Sequence, residues 1–93
     1  MTECIKIGKW KVPKQLFDEY VKFSIHADAY LLGTVPTANK KERSMRYLLC
    51  AQRIMQIHRE ICEKLKIKYA CDDTDEFYHA FHKKVREQTK LKG

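Results

Sequence analysis

The feature that most constrains this chain is a run of residues spaced by four and three: Tyr47, Ala51, Ile54, His58, Ile61 and Leu65. At 3.6 residues per turn they fall on one face, the seam of a packed helix. Leu48, Met55 and Cys62 widen that seam on one side, and Cys50 and Ile57 widen it on the other. The apolar face then covers about half the circumference, more than the ~100° stripe of an ordinary surface helix. Such a helix needs two neighbours or a partner chain. Asn39 with Glu42 three residues later supplies an N-cap and a box-like carboxylate, so the pattern predicts a helix over 39–67, about 40 Å long.

Two shorter helices flank it. Pro13 suits a first helical position because its φ is fixed and its N–H is missing. From there Leu16, Phe17, Tyr20, Phe23, Ala27, Tyr30 and Leu31 share a face, with Val21, Ile25 and Leu32 as a second apolar stripe. Gly33 ends this helix, predicted over 13–32, and 34–38 is a loop. Asp73 followed by Glu76 repeats the capping pattern and opens a helix over 73–90, whose inner face is Phe77, Tyr78, Phe81, Val85 and Gln88. Ahead of all three, Ile5, Ile7, Trp10 and Val12 are interleaved with lysines, and Gly8-Lys9 suits a two-residue turn. The expected fold is all-α: one domain over 1–93, an antiparallel three-helix bundle with a short N-terminal extended or β-like arm. The helix lengths do not match. The overhang of the long helix needs cover, and a fourth helix from another subunit supplies it most simply, so a homo-oligomer is expected.

Composition narrows the function classes. The chain has 93 residues, 44% of them hydrophobic, and a formal charge of +7. That is too apolar for a disordered tail, while no apolar run approaches the ~18 residues of a membrane span. The opening residues lack the apolar stretch of a secretory signal. Cys4, Cys50, Cys62 and Cys71 show no metal-finger spacing, so reduced thiols and a cytoplasmic location are expected, with no membrane partner.

The charge is uneven. Residues 39–71 carry a net +6, residues 72–77 carry −4, and residues 78–93 carry +4. In an up-down-up bundle the start of the second helix and the end of the third share one end, which gathers Lys40, Lys41, Arg43, Arg46, Arg86 and Lys90. Cations are unfavourable at a helix N-terminus by ~0.3–1 kcal/mol each. Lys40, Lys41 and Arg43 around free N–H groups therefore suggest an anion site. The expected function is that of a small basic accessory protein, not an enzyme, which binds nucleic acid, another polyanion or a nucleoprotein complex through these side chains. Solvated Lys/Arg runs are also common, and no helix-turn-helix, zinc-finger or RNP motif occurs. The alternative is a protein-interaction module (inhibitor, adaptor or assembly subunit, of a size and character that suit a phage or mobile element). It would use Val21, Ile25, Leu48, Met55 and His58.

Other chemistry is not expected. His58 and Cys62 at i, i+4 could meet His79 and His82 as a zinc set by spacing alone, but His79 lies well away from its helix's apolar face. A His58–Cys62 nucleophile pair lacks an orienting acid and an oxyanion site. The Asp72–Glu76 acids lack a calcium loop. No catalytic residue, metal or cofactor is assigned.

Overall fold

A computed structural model of the chain describes residues 3–70, 72 and 74–92, the last two by backbone alone. It begins with strands β1 (Cys4–Ile7) and β2 (Trp10–Pro13), paired antiparallel with Ile5 opposite Val12 and Ile7 opposite Trp10. The intervening turn is Gly8-Lys9, and Gly8 adopts φ 60°. Glycine at the first central position is the signature of a type II′ hairpin, whose twist matches that of the flanking strands. The period-two alternation puts Ile5, Ile7, Trp10 and Val12 on one face. Ile7 and Val12 are buried, while Lys6 and Lys11 are exposed on the other face.

Helix α1 (Lys14–Leu32) starts one residue after the expected position. Pro13 closes β2 and also precedes the helix, with no side chain to cap it. The first helical N–H, that of Lys14, donates instead to the Glu3 carbonyl at 2.8 Å, so the hairpin satisfies the helix start. Gly33 ends α1 in the left-handed conformation at φ 73°. The Thr34 N–H there returns to the Ala29 carbonyl at 3.0 Å, as in a Schellman motif.

Helix α2 (Lys40–Leu65) opens on the Asn39 cap: the Asn39 Oδ1 accepts from the Glu42 N–H at 2.8 Å. It stops two residues earlier than its pattern suggests. Lys66 turns left-handed at φ 58°, and the Ile67 N–H closes on the Cys62 carbonyl at 3.0 Å. Helix α3 (Glu76–Lys92) starts later and runs further than expected. Asp73, the expected cap, lies outside the described residues, as does Cys71. Asp75 takes the capping role, its Oδ2 accepting from the Tyr78 N–H at 2.9 Å. Asp72 shapes the turn before it, accepting from the Thr74 N–H at its side chain and from the Asp75 N–H at its carbonyl.

The structure is mostly helical, and α1 is its central element, in contact with α2, α3 and both strands. Phe81 of α3 sits at the junction, with ring centroids 5.9 Å from Phe17, 4.8 Å from Tyr20 and 5.9 Å from His58. Trp10 meets Phe77 edge-on at 5.2 Å, which gives the hairpin its cover. Val21 is 2% exposed in this core, so it cannot serve as an open interface: its end of the stripe is covered because α1 is enclosed there on more than one side, while Leu32 at the other end is exposed. His58 is likewise 2% exposed, enclosed by the rings of Tyr69, Phe77, Tyr78 and Phe81, and is a core residue rather than a surface contact. No described helix is long and apolar enough to cross a membrane.

Candidate functional site

The core occupies only one half of the molecule. No residue from Asp28 to Gln56 is buried, although this stretch includes the end of α1 and more than half of α2. The two helices meet along it: Glu19 pairs with Arg53 at 3.0 Å, and beyond that Tyr30 and Leu31 share a groove with Arg43, Ser44, Tyr47 and Leu48. Leu31, Leu32, Met45, Leu48, Leu49 and Met55 are all exposed there, Leu32 by 75% and Leu48 by 57%. Leu31 was expected inside, on the inner face of its helix. It is exposed because α3 meets α1 at Phe17 and Tyr20, well before the Leu31 turn.

The α2 start carries a short electrostatic network. Glu42 Oε2 accepts from the Ala38 N–H at 2.7 Å, and its Oε1 accepts from Arg46 Nε at 3.0 Å. The Ala38 N–H first, and then Arg46, hold the Glu42 carboxyl below the usual carboxylate range. In turn Glu42, and after it the Tyr30 phenol, hold Arg46 more firmly charged. One backbone donor of the expected anion site is used within the chain, the Glu42 N–H being taken by Asn39, while the Glu42 carboxylate binds the Ala38 N–H and Arg46. Here Glu42 reaches one residue further back than in the usual capping box.

The remaining cations are not consumed in this way. Lys40 and Lys41 are exposed, Arg43 is half-buried, and none of the three forms an ion pair among the described residues. The Arg43 guanidinium passes beside Gly33, only 3.0 Å from where a Cβ would stand. Any side chain at position 33 would therefore push Arg43 aside as well as strain the turn. Arg86 and Lys90 are exposed on α3, where Arg86 shares a depression with Tyr78, His79 and His82 rather than with the α2 start. Of the expected interface residues, Leu48 and Met55 are exposed, Ile25 is half-buried against the core, and Val21 and His58 are inside it.

Met45, Leu49 and Leu31 were not assigned to the surface from sequence, whereas Leu32, expected on an open stripe of α1, is exposed. The signal for Met45 and Leu49 was present, since both fall off the buried seam of α2. His58, Cys62, His79 and His82 do not form a metal set: no three His, Cys, Asp or Glu side chains among the described residues group to hold an ion. His82 is turned instead toward Tyr20, its Nε2 3.2 Å from the phenol oxygen. Compared with protein-family models, with curated proteins and with solved structures, the chain matches none of them.

Proposed function

We propose that this chain is a non-enzymatic binding protein whose contact surface is the outer part of the α1–α2 pair, and that it engages a polyanion, a nucleic acid or a nucleoprotein complex. The observation that carries the reading is the set of three cations, Lys40, Lys41 and Arg43, on a projecting helix end with no acid paired to them among the described residues. With the Glu42 and Ala38 N–H groups engaged within the chain, the lysine and arginine side chains carry most of the phosphate contacts. Arg86 and Lys90, exposed on α3, form a separate basic face that adds phosphate contacts of its own. Each phosphate neutralised releases counterions, so affinity for duplex DNA falls linearly with salt on logarithmic axes. Replacing Lys40, Lys41 and Arg43 together by Gln is expected to reduce that slope by about 2–3, at ~0.9 per lost contact. Fluorescence anisotropy with labelled DNA and RNA across a salt series measures it. An unchanged slope and affinity would remove this surface as a phosphate site.

A second reading rests on a different observation. Lys41, Met45, Leu48, Gln52, Met55, Arg59 and Glu63 are all exposed and recur by threes and fours, a second seam on the opposite flank of α2 from its buried one. The occupant that this seam fits is a second copy of the chain, docked antiparallel about Gln52. Lys41 and Glu63 lie eleven residues on either side of Gln52. A two-fold axis there sets each Lys41 against the Glu63 of the other copy and packs Leu48 and Met55 between them. A parallel pairing would oppose like with like at both ends.

A further inference from the structure

Beside the core, between α1, α2, Tyr69 and α3, lies a solvent-open cavity of about 330 Å³. That is the size of a small-ligand pocket. One wall is a relay of rings. His58 stands 4.8 Å from Tyr69 and 5.6 Å from Tyr78, Tyr78 stands 4.2 Å from His82, and His82 is joined to Tyr20. Tyr47 and Asp28 complete the lining, together with the apolar side chains of Ile54 and Met55.

Two properties set this cavity apart from the rest of the molecule. In a chain with 19 Lys and Arg, no described Lys or Arg lines it. Its described carboxylate is that of Asp28, which is exposed on α1. Tyrosine faces carry negative electrostatic potential and attract cations, most strongly where water is excluded. Tyr69 already displays this affinity, since the Arg59 guanidinium, itself outside the lining, lies 5.1 Å over its ring. Burial, and then the charge of His82, push the pKa of His58 below its ordinary value, so His58 adds no positive charge to the wall near neutral pH. Apart from the His82 imidazole, a phosphate-bearing ligand finds no described cationic side chain in the lining. A hydrated metal ion finds no cluster of ligands among the described residues.

We infer that this cavity binds a small organic ammonium ion bearing N-methyl groups, its charge held by the tyrosine faces and Asp28 and its methyl groups by Ile54 and Met55. A methylated ammonium suits the site better than a primary one, because its apolar shell asks for contact rather than hydrogen bonds. The inference is independent of the basic outer surface and stands or falls separately from it.

The experiment is a titration of the full chain with choline and with its uncharged carbon isostere dimethylbutanol, near neutral pH, followed through the ring resonances of the tyrosines and His58. Choline is expected to shift these resonances and to bind about tenfold more tightly than the isostere. Asp28→Asn, which is on the surface and should leave the melting temperature unchanged, is expected to weaken choline about tenfold and leave the isostere unaffected. Equal binding of the two probes would reduce the cavity to a plain apolar one and overturn the proposal. Absence of any shift at millimolar choline would overturn it as well.

Discussion

His58 is an ionisable ring in a position that packs like a phenylalanine, nearly parallel to Phe81 at an interplanar angle of 7°. Burial is the main force that lowers its pKa from 6.5; the neighbouring His82 lowers it further, and Asp75 opposes both. The folded state therefore binds fewer protons here than the unfolded chain, so His58 contributes stability above pH ~6.5 that is lost as pH falls through the lower folded value. The melting temperature of the wild type is expected to drop more steeply between neutral and mildly acid pH than that of His58→Phe. Parallel curves from scanning calorimetry would show that His58 is not the group responsible. At this scale the sequence was half legible. The apolar spacing placed His58 in the middle of the α2 face. It did not distinguish a core from an interface, because that depends on Tyr69, Phe77, Tyr78 and Phe81, which reach His58 from beyond the helix. Val21 failed for the same reason: its stripe is plain in the sequence, and the elements that cover it are not local.

The ends of the elements follow from local chemistry with different degrees of certainty. Gly33 and Asn39 act where their residue types suggest, because a left-handed terminus favours glycine and an extended cap favours a short side chain with an oxygen. Asp73 and Asp75 were harder to separate. Each is an acid just ahead of an apolar run, and among the described residues it is Asp75 that caps the Tyr78 N–H. The end of α2 was hidden because a lysine takes the conformation that glycine prefers. A non-glycine residue in that region carries a strain of roughly 1–2 kcal/mol. Lys66→Gly is accordingly expected to be about 1 kcal/mol more stable than Lys66→Ala. The alanine variant loses the same charge but keeps the strain. In a domain of this size the difference amounts to roughly 4–8 °C in melting temperature. Equal stability of the two variants would mean that the turn relaxes once the side chain is shortened.

The whole molecule is divided lengthwise into a packed half, where the hairpin, α3 and the end of α2 enclose α1, and an outer half made of two helices alone. The excess length of the long helix was readable from its periodicity, and so was its need for cover. The position of α3 was not, since it follows from Phe77 and Phe81 seating on Trp10, Phe17 and Tyr20 rather than from any spacing along the chain. Antiparallel pairing of two copies along α2 makes a charge-swap prediction. Glu63→Lys alone should dissociate the pair at concentrations where the wild type associates, and Lys41→Glu with Glu63→Lys should restore it, as read by sedimentation equilibrium. Failure of the double variant to recover would exclude this orientation. The outer half has a consequence of its own. Its amides are held by helical hydrogen bonds without a core to back them, so they can open to solvent exchange at a free energy well below that of global unfolding. Whatever settles on this surface must also hold the two helices in order. Part of its intrinsic affinity is then spent on order rather than attachment, and occupancy becomes visible at a distance as slowed amide exchange along the arm.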